Sequence, residues 1–122
     1  MLEPLLNSKT KENVLIFLIA REEGYATEIA RFFDVDLYGV QNQLDELETG
    51  GILVSKKVGR TRLFTLNPKY ALIDELKSLL QKALSFYPAD IKENLLEKGI
   101  EVVLSGGSAV SIYSSEKYVS NE

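Results

Sequence analysis

An α+β fold is predicted by three observations on the order of segments along this chain. Two helical patterns joined by a short turn occupy residues 26–49, an alternating hairpin pattern follows at 52–66, and a helical stretch with a broad apolar face runs over 70–87. With 122 residues and 45% hydrophobic composition, the chain can bury one core of ordinary size and carry a small appended element.

Taken in order, Ser8 is placed to cap a first helix from Lys9 to about Glu22, with Glu12 in position to support its first turn. The run Val14 to Ala20 is apolar on nearly every face, which predicts a central helix covered on several sides and ending near Gly24. Ala26 to Phe33 reads as a short second helix with Ile29, Ala30 and Phe33 inward, Ala30 being small where two helices must approach closely. After the turn Asp34-Val35-Asp36, the Asp36 carboxylate can accept from the free amides of a third helix, Leu37 to about Thr49. Its inward face is read as Leu37, Val40, Leu44 and Leu47, leaving Tyr38, Gln41, Asn42 and Asp45 outward. Gly39 costs about 1 kcal/mol relative to alanine in a helix interior. That cost is consistent with close approach of a backbone, either of nucleic acid or of the preceding helix.

Gly50-Gly51 ends this helix, since glycine takes the left-handed cap conformation without strain. Ile52 to Val58 and Arg62 to Leu66 then read as two strands joined by a turn at Gly59-Arg60-Thr61. Asn67-Pro68 breaks the pattern, and a long helix from Tyr70 to about Tyr87 carries Leu72, Ile73, Leu76, Leu79, Leu80, Ala83 and Leu84. That face is wider than one small domain needs. It is expected to meet a second subunit, its own domain or the C-terminal segment. Helix, tight turn, helix and basic hairpin in this order are the sequence form of a winged helix-turn-helix, in which the second helix can enter a DNA major groove while the hairpin grips phosphates.

The net charge of -4 and a pI near 5.0 argue against a nucleic-acid binder if charge is taken globally. The distribution answers that objection: no acid falls between Glu48 and Asp74, whereas Lys56, Lys57, Arg60, Arg62 and Lys69 all do. On the third helix, glutamine and asparagine can bond adenine edges bidentately, and tyrosine can reach a phosphate or a thymine methyl. The absence of cysteine and histidine excludes thiolate and imidazole catalysis, a disulfide framework and soft-metal ligation. The opening Met1-Leu2-Glu3-Pro4 lacks the basic and apolar regions of a secretory signal, and Val14 to Ala20 is too short to span a bilayer. A cytoplasmic protein with no membrane partner is expected.

Residues Leu2 to Tyr87 resemble the winged-helix domains of the ArsR and MarR-like transcriptional regulators, especially a prokaryotic subgroup found alone or fused ahead of a nucleotidyltransferase domain. The stretches that carry the resemblance are Tyr25 to Ala30, Gln41 to Leu47, Gly50-Gly51-Ile52-Leu53 and Val58 to Pro68. The resemblance implies a DNA-binding domain over 1–87 that binds double-stranded DNA as a homodimer, with the helix 37–49 in the major groove and the wing 52–66 on the backbone. The DNA-contacting candidates are Thr27, Tyr38, Gln41, Asn42, Lys56, Lys57, Arg60, Thr61 and Arg62. The ArsR metal sensors use cysteine and histidine ligands, which this chain lacks, so no metal or other cofactor is expected. The sequence assigns no small-molecule effector.

Residues 88–122 read differently. After Pro88 and a helix from Ala89 to Lys98, Ile100 to Leu104 has a buried-strand pattern, followed by Ser105-Gly106-Gly107-Ser108 and an apolar helix start at Ala109. This resembles the opening of nucleotidyltransferase-fold proteins, where such a turn holds the nucleotide triphosphate. Gly106, Gly107 and Ser108 are accordingly candidates for a vestigial phosphate site, on a partial nucleotidyltransferase-like segment. Metal-assisted nucleotidyl transfer needs at least two converging carboxylates, and only Glu122 falls where the first is expected. No enzymatic activity is expected. The alternative from another class is an interaction or positioning module of a nucleotidyltransferase whose catalytic part lies outside this chain.

Overall fold

The computed structural model describes residues 1–97, so the strand expected at 100–104 and the Gly106-Gly107-Ser108 turn lie outside the described residues. The chain divides into two compact units, Met1–Lys92 and Glu93–Glu122. The elements run α1 (Glu3–Leu6), α2 (Lys9–Arg21), β1 (Glu23–Tyr25), α3 (Ala26–Phe33), α4 (Leu37–Thr49), β2 (Leu53–Val58), β3 (Thr61–Leu66), α5 (Ile73–Leu84) and α6 (Ala89–Leu96). This is the expected α+β class. Its sheet is antiparallel with strand order β1-β3-β2.

Helix α2 is the core of the first unit. Ser8 caps it by accepting from the Lys11 amide at 3.0 Å, and every residue from Glu12 to Leu18 is buried. The Phe17 ring meets Phe32 and Phe33 edge-on, with centroids 5.9 and 6.5 Å away, an arrangement aromatic quadrupoles favour. The Arg21 guanidinium lies 4.9 Å from the Phe17 centroid and pairs with Glu28 at 3.4 Å, tying α2 to α3. Lys11 and Glu46, 2.6 Å apart, tie α2 to α4.

Two elements go beyond the sequence expectation. α1 is a single turn and β1 spans three residues, Glu23-Gly24-Tyr25, too short to show alternation. β1 explains Gly24, which was expected to end the first helix. Glu22 takes the left-handed cap position instead, at φ 74°, and Gly24 pairs with Phe64 across the sheet. A Cβ on Gly24 would lie 2.7 Å from Phe17 Cε1, so glycine is required there by close approach of strand to helix.

The long helix is shorter at both ends than the expected 70–87. At its start the Asn67 side chain accepts from the Lys69 amide at 2.9 Å and donates to the Gly51 carbonyl at 2.8 Å, and this local turn delays the helix until Ile73. At its end the Phe86 and Tyr87 amides bond to the Ala83 and Leu84 carbonyls, three residues back, closing tight turns before Pro88. Leu37, read as inward, is 37% exposed because it stands at the first position of α4, at the edge of the core.

One buried charge binds the ends of this unit together. Glu12, fully buried, accepts from the Tyr87 hydroxyl at 2.6 Å and from the Leu2 amide at 3.1 Å, with Lys9 Nζ at 3.8 Å. Burial opposes its ionisation, but the Tyr87 hydrogen bond, the Lys9 and α-amino charges and the Leu2 amide outweigh it and hold the carboxyl below its ordinary range. Burial and the adjacent carboxylate push the Tyr87 phenol well above its usual value. Among the described residues, no helix is long and apolar enough to cross a membrane.

Candidate nucleic-acid interface

Asp36 sets the start of α4. Its carboxylate accepts from the Gly39 amide at 2.9 Å, fixing the rotation of the helix about its axis from the first turn. Val40, Leu44 and Leu47 are buried by that rotation. The opposite stripe, at i, i+3, i+4 and i+7, is Tyr38, Gln41, Asn42 and Asp45, all exposed.

These four side chains form one wall of a groove of about 460 Å³. Tyr25, at the end of β1, and Ala26 and Thr27, at the start of α3, also line it. Arg60, Thr61, Arg62 and Phe64 of the hairpin line it as well. The hairpin is closed by two residues, Gly59 and Arg60, rather than the expected three, since Thr61 pairs with Val58 and its hydroxyl donates to the Val58 carbonyl at 2.9 Å. Gly59, at φ 63°, supplies the left-handed conformation needed at the first of two turn positions. This puts Arg60 at the tip.

The structure therefore brings together Thr27, Tyr38, Gln41, Asn42, Arg60, Thr61 and Arg62. Lys56 and Lys57 do not line the groove. Successive strand residues point to opposite faces, so the two side chains leave the strand on different sides. Lys57 stands opposite Arg62 and shares its face, whereas Lys56 stands opposite Leu63 on the other. Asp45 and Tyr25 line the groove and were not among the candidates. Asp45 was findable, four residues after Gln41 on the same stripe; Tyr25 was not, because its place depends on β1.

The wing cations differ in their surroundings. Arg62 donates from Nη2 to both Glu48 carboxylate oxygens, at 2.9 and 3.0 Å, and to Ser55 Oγ at 2.7 Å. Lys56, Lys57 and Arg60 have no ion-pair partner among the described residues. Gly39 is off the groove, and a Cβ built on it would meet only Asp36 Oδ2, at 3.7 Å. Close approach of the preceding helix therefore does not account for this glycine. No cluster of potential metal-ligating side chains occurs among the described residues.

No protein-family model and no curated protein matches the chain. Among solved structures, the chain is similar to the adhesin competence repressor AdcR of Streptococcus pyogenes, at 17% identity over 78% of this chain and 83% of that one, with a TM-score of 0.50. An apo mutant of ZitR from Lactococcus lactis aligns at 17% identity over 79% and 81% of the two chains, but its TM-score of 0.49 is too low to carry weight. At 17% identity the AdcR likeness bears on fold alone: residues of this chain share the winged-helix architecture of a repressor.

Proposed function

We propose that this chain is a transcriptional regulator that reads duplex DNA, with residues 1–87 as the binding domain, α4 in the major groove and the wing on the phosphate backbone. The observation that carries this reading is the groove, lined both by the Tyr38, Gln41, Asn42 and Asp45 stripe and by Arg60, a cation with no ion-pair partner among the described residues. The chemistry suits base reading and phosphate binding together. Amide side chains bond adenine edges, a carboxylate accepts from the cytosine amino group, and a free guanidinium takes a phosphate. The repressor fold of AdcR supports the same reading.

The chain acts as a homodimer in this proposal. Leu72, Leu79 and Phe86, 58%, 39% and 62% exposed, lie on or next to α5 and suit burial against a second copy. Two-fold symmetry would set two α4 helices one DNA turn apart, roughly 34 Å.

The test is fluorescence anisotropy of the full chain against duplex DNA from the region upstream of its gene and against a scrambled duplex, over a range of salt. Tighter binding to the upstream duplex, with affinity falling steeply with salt, is expected. Gln41→Ala should shrink the preference between duplexes by about 1 to 3 kcal/mol if Gln41 reads a base bidentately. Absence of binding to either duplex at low salt would sink the proposal.

A further inference from the structure

The basic residues of the wing form a run in sequence, but one of them is held in a closed ring of hydrogen bonds. Glu48 lies in the last turn of α4, Ser55 on β2 and Arg62 on β3. Arg62 reaches Glu48 through Nη2 and Ser55 through Nη2 and Nε, at 2.7 and 3.1 Å. Ser55 completes the ring by donating its hydroxyl to Glu48 Oε2 at 2.6 Å. The guanidinium also lies 5.7 Å from the centroid of Phe64, a buried ring of the same strand. Three elements thus meet at one side chain, and its charge is compensated before any ligand arrives.

Two consequences follow. A guanidinium whose charge a carboxylate already compensates brings little net charge to a phosphate, so it adds little to the counterion release that makes DNA binding salt-dependent. The pair is also partly exposed, with side-chain exposures of 54% and 27%, so it adds little to folding stability. What the ring supplies is geometry. It fixes the angle between β3 and the end of α4, and with it the position of the Arg60 tip relative to the base-reading stripe. A planar fork with several donors suits such a joint, whereas an ammonium makes a single point contact.

We propose that Glu48 and Ser55 hold Arg62 as a strut, so that Arg62 positions the wing while Arg60 takes the DNA phosphate. This rests on the DNA-reading proposal above and assigns different roles to two arginines that sequence alone treats alike. Glu48, an acid beside a phosphate-binding face, becomes a positioning residue for the interface.

The experiment uses the full chain and the same two duplexes, and reads two quantities: the slope of log affinity against log salt, and the ratio of upstream to scrambled affinity. Arg60→Ala should lower the slope by about 0.9, the value for one lost phosphate contact, with the ratio little changed. Arg62→Ala should keep the wild-type slope and cut the ratio about tenfold, as should Arg62→Lys, because the ammonium cannot rebuild the ring. Glu48→Gln should cut the ratio similarly while raising the slope, since Arg62 is then uncompensated. The double variant Arg62→Ala with Glu48→Gln should be no worse in ratio than either single one. A slope lost equally in Arg62→Ala and Arg60→Ala, or Arg62→Lys restoring wild-type behaviour, would make Arg62 a phosphate contact and overturn the strut. Wild-type chain that binds neither duplex would instead bring down the DNA reading itself, and the strut with it.

Discussion

Helices α2 and α4 are each 13 residues long and belong to the same unit, yet they are built on opposite terms. α2 buries every residue from Glu12 to Leu18 and Ala20 besides; α4 buries Val40, Leu44 and Leu47. On α2 most side chains are dictated by packing, so little of the helix surface is left open. On α4 one narrow stripe anchors the helix and the rest is free to vary in chemistry. The difference shows how a small domain separates packing from open surface: it concentrates the first in one helix and leaves the second on another.

The sharpest way to break that comparison is to remove Phe17. Phe17→Ala should destabilise the fold by about 3 to 5 kcal/mol, measured by urea unfolding, because a fully buried ring and its two edge-on partners lose contact at once. A loss below about 1 kcal/mol would mean α2 is not the core. Gly24→Ala should cost about 1 to 3 kcal/mol in the same assay, since the new methyl overpacks against the Phe17 ring.

Tyr87→Phe comes next, at about 1 to 2 kcal/mol near neutral pH, because it strips the buried Glu12 carboxylate of a hydroxyl donor. Its pH signature follows from the directions of shift. Glu12 is held below its ordinary 4.5, so its contribution is present above that value and disappears as pH falls through the lowered one. Tyr87 is raised above 10.0, so its contribution is present below that value and is lost as pH climbs beyond it. Thermal unfolding of the variant should therefore vary less with pH at both ends than that of the wild type. Equal steepness would remove the pair from the account.

The smallest effect has the opposite sign and lies on α4. Gly39→Ala should stabilise the fold by up to about 1 kcal/mol, since the backbone there is helical and the added Cβ has only a normal contact with Asp36. A raised unfolding midpoint together with weaker DNA binding would identify Gly39 as a place where nucleic acid comes close. A lowered midpoint would show a constraint that the fold does not reveal.

Much of this architecture is legible in the sequence, for reasons that are local. Ser8 and Asp36 mark helix starts because capping involves residues three apart, and the side-chain oxygens meet the Lys11 and Gly39 amides as that spacing requires. The hairpin is legible from alternation and glycine. β1 is not, because three residues carry no period and its pairing partner is Leu63 to Thr65, about forty residues away. The candidate groove is legible on its α4 side, where a helical stripe can be counted. The wing side is legible only in part. A run of cations reads as one patch along the chain, whereas the pleat separates Lys56 from Lys57 and tertiary contact commits Arg62 to Glu48, fourteen residues earlier.

The place of Lys56 has a consequence of another kind. β2 is an outer strand of the sheet among the described residues, and one of its faces presents Val54, Lys56 and Val58 in succession, with both valines 40% exposed. An open strand edge bearing a continuous apolar row is a template for adding strands from other molecules, and a lysine at its centre is the usual protection. Lys56 interrupts that row with a hydrated charge that repels its own image on a second chain. A lysine so placed bears on colloidal behaviour, the concentration that a protein reaches before strand edges begin to pair.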